Sequence, residues 1–499
     1  MSWIDLLPPF ILASSLIPGV MIFLLPESRH DLRTTLNMAS AVVKVVAVGM
    51  LLAVVAGGRT PEWRWPLVPG VELLLQADEL SLLFVTLSAG LWLVTTVYAV
   101  AYLEGSPQRS RFFGFFSLCV SATVGIALAG NLFTFLFFYE ILTITTYPLL
   151  VHRGTRRALA AGGRYLAYTL SGGALLLVGT AWLFALAGPV DFVPGGGAID
   201  ELSRTRPTEL RLIFALLVGG LGVKAAIVPL HGWLPVAMIA PAPVSALLHA
   251  VAVVKAGVFG IVRVVYSVYG VEAAGELGVL PWLAAFATAT ILFGSLRALV
   301  QDNLKRRLAY STVSQLSYIT LGVALANPLA FTGAIVHLVH QGLMKITLFF
   351  CAGNLAETLE VHRVSEMRGV GRRMPWTMGA FTISALGMVG VPPVAGFVSK
   401  WYLGAGALQA GHGWVVAVLV VSGLLNAAYF LPILKTAWID TPARPWPERP
   451  EGRRLETAWM LLFPTLVTAL LSLLVGLLAA APFSPLAWAH RIALTVFAP

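Results

Sequence analysis

The chain reads as an all-α polytopic membrane protein of about fourteen transmembrane helices, and three observations predict this. Hydrophobic residues make up 58% of its 499 residues and charged residues only 11%, too few to form the charged shell of a soluble core this long. Apolar runs long enough to cross a bilayer recur from one end of the chain to the other. The basic residues fall in the short loops between those runs, so the net charge of +10 reports topology and not a nucleic-acid partner.

In chain order, the predicted spans lie at 8–26, 38–58, 79–102, 110–129, 131–151, 162–188, 209–231, 243–270, 278–300, 303–325, 327–356, 375–411, 414–438 and 457–482. Met1 to Phe10 lacks the basic start of a secretory signal, so the first run is expected to be retained. Glu62 to Gln76 is too short and too interrupted to span and is predicted to be a surface hairpin. Pro229 stands at the end of the seventh span, and Pro392 and Pro393 stand inside the twelfth. Proline removes a helical hydrogen bond, and in lipid the freed carbonyls must face protein or water, so both spans are predicted to be broken. Cys119 and Cys351 lie in apolar runs without metal-ligand spacing and read as small buried hydrophobes. No cofactor motif and no soluble domain are visible.

Counting Lys and Arg orients the bundle. With an outside N-terminus, the inside loops hold Arg29, Arg33, Arg109, Arg111, Arg153, Arg156, Arg157, Arg164, Lys305, Arg306, Arg307, Arg363, Arg368, Arg372, Arg373, Lys435, Arg444, Arg449, Arg453 and Arg454. The outside loops hold Arg59, Arg64, Arg204, Arg206, Arg211 and Arg491. That asymmetry predicts a multi-pass protein of the cell (inner) membrane with both termini on the outer side.

Ionisable groups inside spans carry the functional signal, because a charge at mid-bilayer costs roughly 2.5–3.5 kcal/mol on insertion scales. The one acid is Glu140, central in helix five. The bases are Lys224 in helix seven, Lys255 in helix eight, Lys345 in helix eleven and Lys400 in helix twelve. Lys44, Arg263 and Arg297 lie nearer span ends and are expected to snorkel. His337, His340, Gln341 and Lys345 share one stripe of helix eleven, which favours a wet interior over simple packing. A buried lysine gains or loses a proton as its counter-charge approaches or leaves, and histidine does so near neutral pH. One carboxylate and several lysines spread over successive helices suit a proton relay; a static Glu140–Lys224 ion pair is the plainer alternative.

Four stretches carry a resemblance. They are VKAAIVPLHGWLPVAMIAPAPVSALLHAVAVVKAGVFG from Val223, DNLKRRLAYSTVSQLSYI (302–319), HLVHQGLMKITLFFCAG (337–353) and GVPPVAGFVSKW (390–401). Together they resemble the antiporter-like proton-conducting subunits shared by respiratory complex I and Mrp-type Na+/H+ antiporters, and the phrase MKITLFFCAG is most like the Mrp D-type subunit. The resemblance implies two inverted five-helix repeats, each with a broken helix: 110–270 (helices 4–8) and 278–438 (helices 9–13), after an N-terminal 1–109 and before a last helix at 457–482. It also implies a relay of Glu140, Lys224, Lys255, Lys400, Lys345 and His337, with His249 and His340 as further candidates. This chain departs from the family pattern in having Gln341 where a second histidine is usual, which leaves open which of His337 and His340 carries protons. It ends soon after helix fourteen, without the long lateral helix of the largest relatives.

The implied function is a proton-conducting subunit of a multi-subunit Mrp-type cation/proton antiporter, with protons as cargo, Na+ or K+ as the candidate exchanged cation and other membrane subunits as partners. The alternative is the proton-pumping subunit of a complex-I-like or hydrogenase-like assembly. A membrane-embedded enzyme such as a lipid-linked transferase would need acidic or Arg-rich catalytic loops, and the single interior acid counts against it.

Overall fold

In hydrocarbon every backbone N–H and C=O must be paired within the chain, so long apolar runs fold as helices. The computed structural model describes residues 3–442, 445–447 and 455–497. Arg444, Arg449, Arg453 and Arg454 of the charge count lie outside the described residues. The first six spans are α1 (Leu7–Phe23), α2 (His30–Ala56), α3 (Glu79–Tyr102), α4 (Arg109–Ala127), α5 (Leu132–Leu150) and α6 (Arg156–Ala187). Between α2 and α3 the predicted hairpin forms from β1 (Glu62–Val68) and β2 (Val71–Gln76), paired antiparallel. Its second strand is tied to the start of α5, where the Thr134 hydroxyl accepts from the Leu74 N–H and Asn131 caps the helix.

The seventh span, α7 (Pro207–Lys224), stops five residues before Pro229, so the predicted break begins earlier than the proline. Ala226 takes a left-handed φ of 57°, and residues 225–236 are non-helical. The eighth span was expected to be continuous and is not. It consists of α8a (Ala242–Ala250) and α8b (Val253–Arg263), followed by a π-helical stretch, Val264–Tyr269. No proline signals this interruption. It occurs where the Ala250 carbonyl packs close to Gly342 and where β-branched Val251, Val253 and Val254 weaken local helix preference. Tertiary packing overrides the sequence pattern there.

The next spans are α9 (Leu280–Leu299), α10 (Leu304–Ala324) and α11 (Pro328–Leu359). The twelfth is broken as predicted, into α12a (Pro375–Val389) and α12b (Ala395–Gln409), with Pro392 and Pro393 in the gap. Gly390 ends α12a at φ 99°, and a Cβ on Gly396 would lie 1.8 Å from the Gly387 carbonyl oxygen, so only glycine lets the half-helices meet. Then come α13 (Gly413–Trp438), α14 (Trp459–Leu477) and a short α15 (Pro485–Val496) that the sequence reading missed. At 12 residues α15 is too short to span; it buries Leu486, Ala489, Ile492, Ala493 and Val496 against α11 and α3.

Among the described residues, eleven helical segments are long and apolar enough to cross a membrane. The other three predicted spans are α7, α10 and the split α12. Of these, α7 carries Lys224, α12b carries Lys400 and α10 accepts from Lys345. The segment containing α8 and the α11 helix are buried throughout their apolar windows and form the centre of the bundle. Packing recurs along the chain: α4 lies on α5 and α9 on α10, α6 on α7 and α11 on α12, α7 on α8b and α12a on α13.

Two expectations fail. Lys44 does not snorkel: it is fully buried and donates to the Ser15 hydroxyl at 2.5 Å. Arg263 does not either; its guanidinium binds the Asp78 carboxylate at 2.6 and 2.7 Å. In each case a polar partner on a neighbouring helix replaces the headgroup region. Arg297 behaves as expected, exposed and lying over the Tyr310 ring at 5.6 Å.

Candidate functional site: a lysine file through the broken helices

Glu140 projects from the middle of α5 and is half-buried. A Cβ on Gly173 of α6 would sit 2.0 Å from its Oε1, so that glycine makes room for the carboxylate. Oε1 is buried without a protein hydrogen-bond partner. Lys224 ends α7, where the helix dipole favours a cation. Its ammonium donates to the carbonyl of Tyr139, the residue before Glu140, and lies 3.3 Å from the Tyr139 ring centroid. The break frees carbonyls at the end of α7, and the Trp233 indole N–H takes up that of Val223 at 2.7 Å.

α8b packs directly into this break. A Cβ on Gly257 would lie 2.2 Å from the Ala225 nitrogen, so glycine brings the start of α8b against Lys224. Two residues earlier on the same helix, Lys255 is fully buried and donates to the Leu338 carbonyl of α11 at 2.5 Å. The residue before Leu338 is His337, whose Nδ1 is 2.8 Å from the Ser399 hydroxyl. Ser399 adjoins Lys400, which donates to the Met388 and Val389 carbonyls at 2.7 and 2.9 Å. These are the orphan C-terminal acceptors that the break in α12 exposes. The Asn426 amide of α13 also donates to Met388 O, at 3.2 Å, and the Tyr318 ring lies 5.4 Å from the Lys400 ammonium.

Glu140, Lys224, Lys255, His337 and Lys400 thus follow one another across α5, α7, α8b, α11 and α12. Not every predicted residue joins them. Lys345 turns to α10, donating to the Leu308 carbonyl at 3.1 Å and to the Ser311 hydroxyl. His249 stacks on Phe349 at 4.5 Å with neither ring nitrogen hydrogen-bonded to protein. His340 is fully buried beside the Ala395 backbone at the start of α12b. Pro229 lies inside the non-helical stretch after α7. Among the described residues no cluster suits a metal ion.

Sequence reasoning missed Ser399, Tyr318, Gln315 and Asn426. A signal was available for two of them: Ser311, Gln315, Tyr318 and Gly322 recur at i, i+4, i+7 and i+11 on one face of α10, a buried helix unusually rich in polar residues for a span. Gln341 and the Gln315 Oε1 are buried without protein partners, like Glu140 Oε1. Each such atom costs about 1–3 kcal/mol unless water satisfies it, so the region between these helices is chemically suited to hydration.

A family model described as "NADH:quinone oxidoreductase/Mrp antiporter, TM" matches residues 129–426, more than half of the chain and the whole of this file. The chain belongs to that family. This antiporter-like chain is 38% identical over 457 residues to the NADH-quinone oxidoreductase subunit N of Desulforudis audaxviator (strain MP104C), covering 88% of this chain and 89% of the relative. It is 29% identical over 478 residues to the D-type Na(+)/H(+) antiporter subunit of Bacillus subtilis (strain 168), covering 94% of each. A chain in the structure of the Mrp complex from Dietzia sp. DQ12-45-1b superposes with a TM-score of 0.87 at 25% identity, over 100% of this antiporter-like chain and 98% of that one.

Proposed function

We propose that this chain conducts protons within a multi-subunit membrane assembly, along Glu140, Lys224, Lys255, His337 and Lys400. The observation that carries the reading is that each lysine of the file rests on a backbone carbonyl, and none lies within ion-pair distance, 4.0 Å, of a carboxylate among the described residues. A fixed ion pair would hold its proton. A lysine resting on a carbonyl dipole can give it up when a neighbouring charge moves. Lys345, His340 and His249 lie beside the file and would serve access to it.

For the parent assembly we propose an Mrp-type cation/proton antiporter exchanging Na+ or K+ for protons, supported by the near-complete match in length and fold to a chain of the Dietzia Mrp complex. The 38% identity to a subunit N favours a second reading, a proton-pumping subunit of a redox-driven complex. Affinity purification of the native complex decides between them. Flavin or iron–sulfur signals in co-purifying subunits would establish the redox reading, and their absence from an assembly that exchanges cations in vesicles would establish the antiporter. We further propose that the two helix sets at 110–270 and 278–438 are inverted repeats, that the protein resides in the cell membrane, and that both termini lie on the outer side. Labelling of single cysteines at each terminus by an impermeant reagent tests the last point.

A further inference from the structure

A groove of about 780 Å³ runs along the outside of the bundle between α7 and α9, separate from the lysine file. Phe214 and Val218 of α7 form one wall, and Trp282 and Phe286 of α9 form the other. Its upper rim is Arg211 with the Leu277–Val279 turn, and its lower end is closed by Ile227 to Leu230, the non-helical stretch after α7. From Arg211 to Gly222 the helix rises about 16 Å, at about 1.5 Å per residue. That is close to half of the roughly 30 Å hydrocarbon core, the depth of one leaflet. Trp282 is 71% exposed near the rim, where an interfacial tryptophan belongs.

The rim carries an unmatched charge. Of the three arginines at this end, Arg204 pairs with Glu272 and Glu276, and Arg206 with Glu209. Arg211 has no carboxylate partner among the described residues. Among the described residues only its Nε has a hydrogen-bond partner, donating to the Leu277 carbonyl at 2.8 Å, which holds the guanidinium at the mouth and leaves its terminal nitrogens for a further acceptor. A guanidinium held this way is suited to a phosphate. Below the rim the groove is lined mainly by apolar side chains and runs about the depth of one leaflet, so its chemistry is that of a phosphate at the mouth and an extended hydrocarbon chain beneath it.

We propose that this groove is a binding site for an anionic phospholipid, with the phosphate on Arg211 and one acyl chain reaching the broken segment that follows Lys224. The occupant therefore touches the same break that positions the lysine, from the lipid side.

The test uses the intact complex in nanodiscs with phosphatidylglycerol carrying a diazirine at the acyl terminus. Photolabelled peptides should include residues 227–230, and unlabelled phosphatidylglycerol should compete better than phosphatidylcholine. Arg211→Gln should lower this labelling about tenfold, the effect of losing one charge-assisted contact, and Arg211→Lys should lower it less. Ala215→Trp, which fills the groove, should abolish it in complexes that assemble normally. Labelling at 227–230 that neither Arg211→Gln nor Ala215→Trp changes would overturn the proposal. So would a crosslink from a photoprobe on Ala215→Cys to a partner subunit in place of lipid. The readout is binding, so it stands or falls independently of the proton relay.

Discussion

Lys224 donates to the backbone carbonyl of Tyr139 and covers that residue's ring, while the carboxylate of the adjacent Glu140 stays beyond ion-pair distance and keeps one oxygen without a protein partner. The two charges are thus neighbours along the chain path but are not locked together. The structure therefore lacks the static Glu140–Lys224 ion pair, and in the proposed relay the carboxylate would act on the lysine at a distance.

Glu140→Gln should therefore lower ion transport about a hundredfold or more, the usual contribution of a positioned proton-transfer group, while the complex still assembles. Gly173→Ala should reproduce part of the loss, since its Cβ would stand 2.0 Å from Glu140 Oε1 and displace the carboxylate. Transport in vesicles alongside blue-native gels of the same preparations checks both. Wild-type rates in a well-assembled Glu140→Gln variant would remove Glu140 from the relay.

Lys400 separates a relay role from a purely electrostatic one. It holds two orphan carbonyls of α12a, and Asn426 still serves Met388 O when Lys400 is gone, so Lys400→Ala should assemble. A relay lysine must release its proton, and arginine cannot. Both Lys400→Ala and Lys400→Arg should lose transport. Near-normal exchange by the arginine variant with a dead alanine variant would assign Lys400 a fixed charge.

The buried Arg263–Asp78 pair is a structural clamp between α8b and the cap of α3. Arg263→Met leaves Asp78 uncompensated and should cost about 3–5 kcal/mol, seen as a lower Tm of the detergent-solubilised complex. Adding Asp78→Asn should recover part of that loss. If Arg263→Met unfolds at the wild-type temperature, the pair is not a clamp.

Lys44 makes the opposite case. It is buried with a hydroxyl partner and lies 5.1 Å from the Trp92 ring centroid, apart from the file. Lys44→Met should change stability by no more than about 1 kcal/mol, since replacing a buried charge with an apolar side chain of similar size is often neutral or favourable. Transport should persist, and a loss of exchange in an assembled Lys44→Met complex would place Lys44 on a proton path.

Most of the architecture was legible because hydrocarbon imposes one rule on every span. Glu140 and the four interior lysines stood out since their cost in lipid is independent of packing, and Pro392 and Pro393 marked the break in α12 because proline acts locally. The break in α8 carries no such mark: it arises where α11 meets the Ala250 carbonyl, a contact between residues far apart in sequence. The same holds for Arg263 and Lys44, whose partners lie on other helices. Nor could spacing separate Lys345 from His337. Both lie on one stripe, but one turns to α10 and the other to α12b.

The three spans that fall short of membrane-crossing length or hydropathy have a consequence for biogenesis. The halves of α12 have 15 residues each, below the about 20 needed to span, and α10 opens with Lys305, Arg306 and Arg307. By length or by charge, each of these segments falls short of what a helix needs to leave the insertion machinery for lipid alone. Their packing partners α6, α9 and α11 each precede them in the chain, so an apolar neighbour is already made when each segment emerges and can shield it from lipid. Entry into the membrane is thus sequential, and the order of translation belongs to the folding code of the helices that hold Lys224 and Lys400.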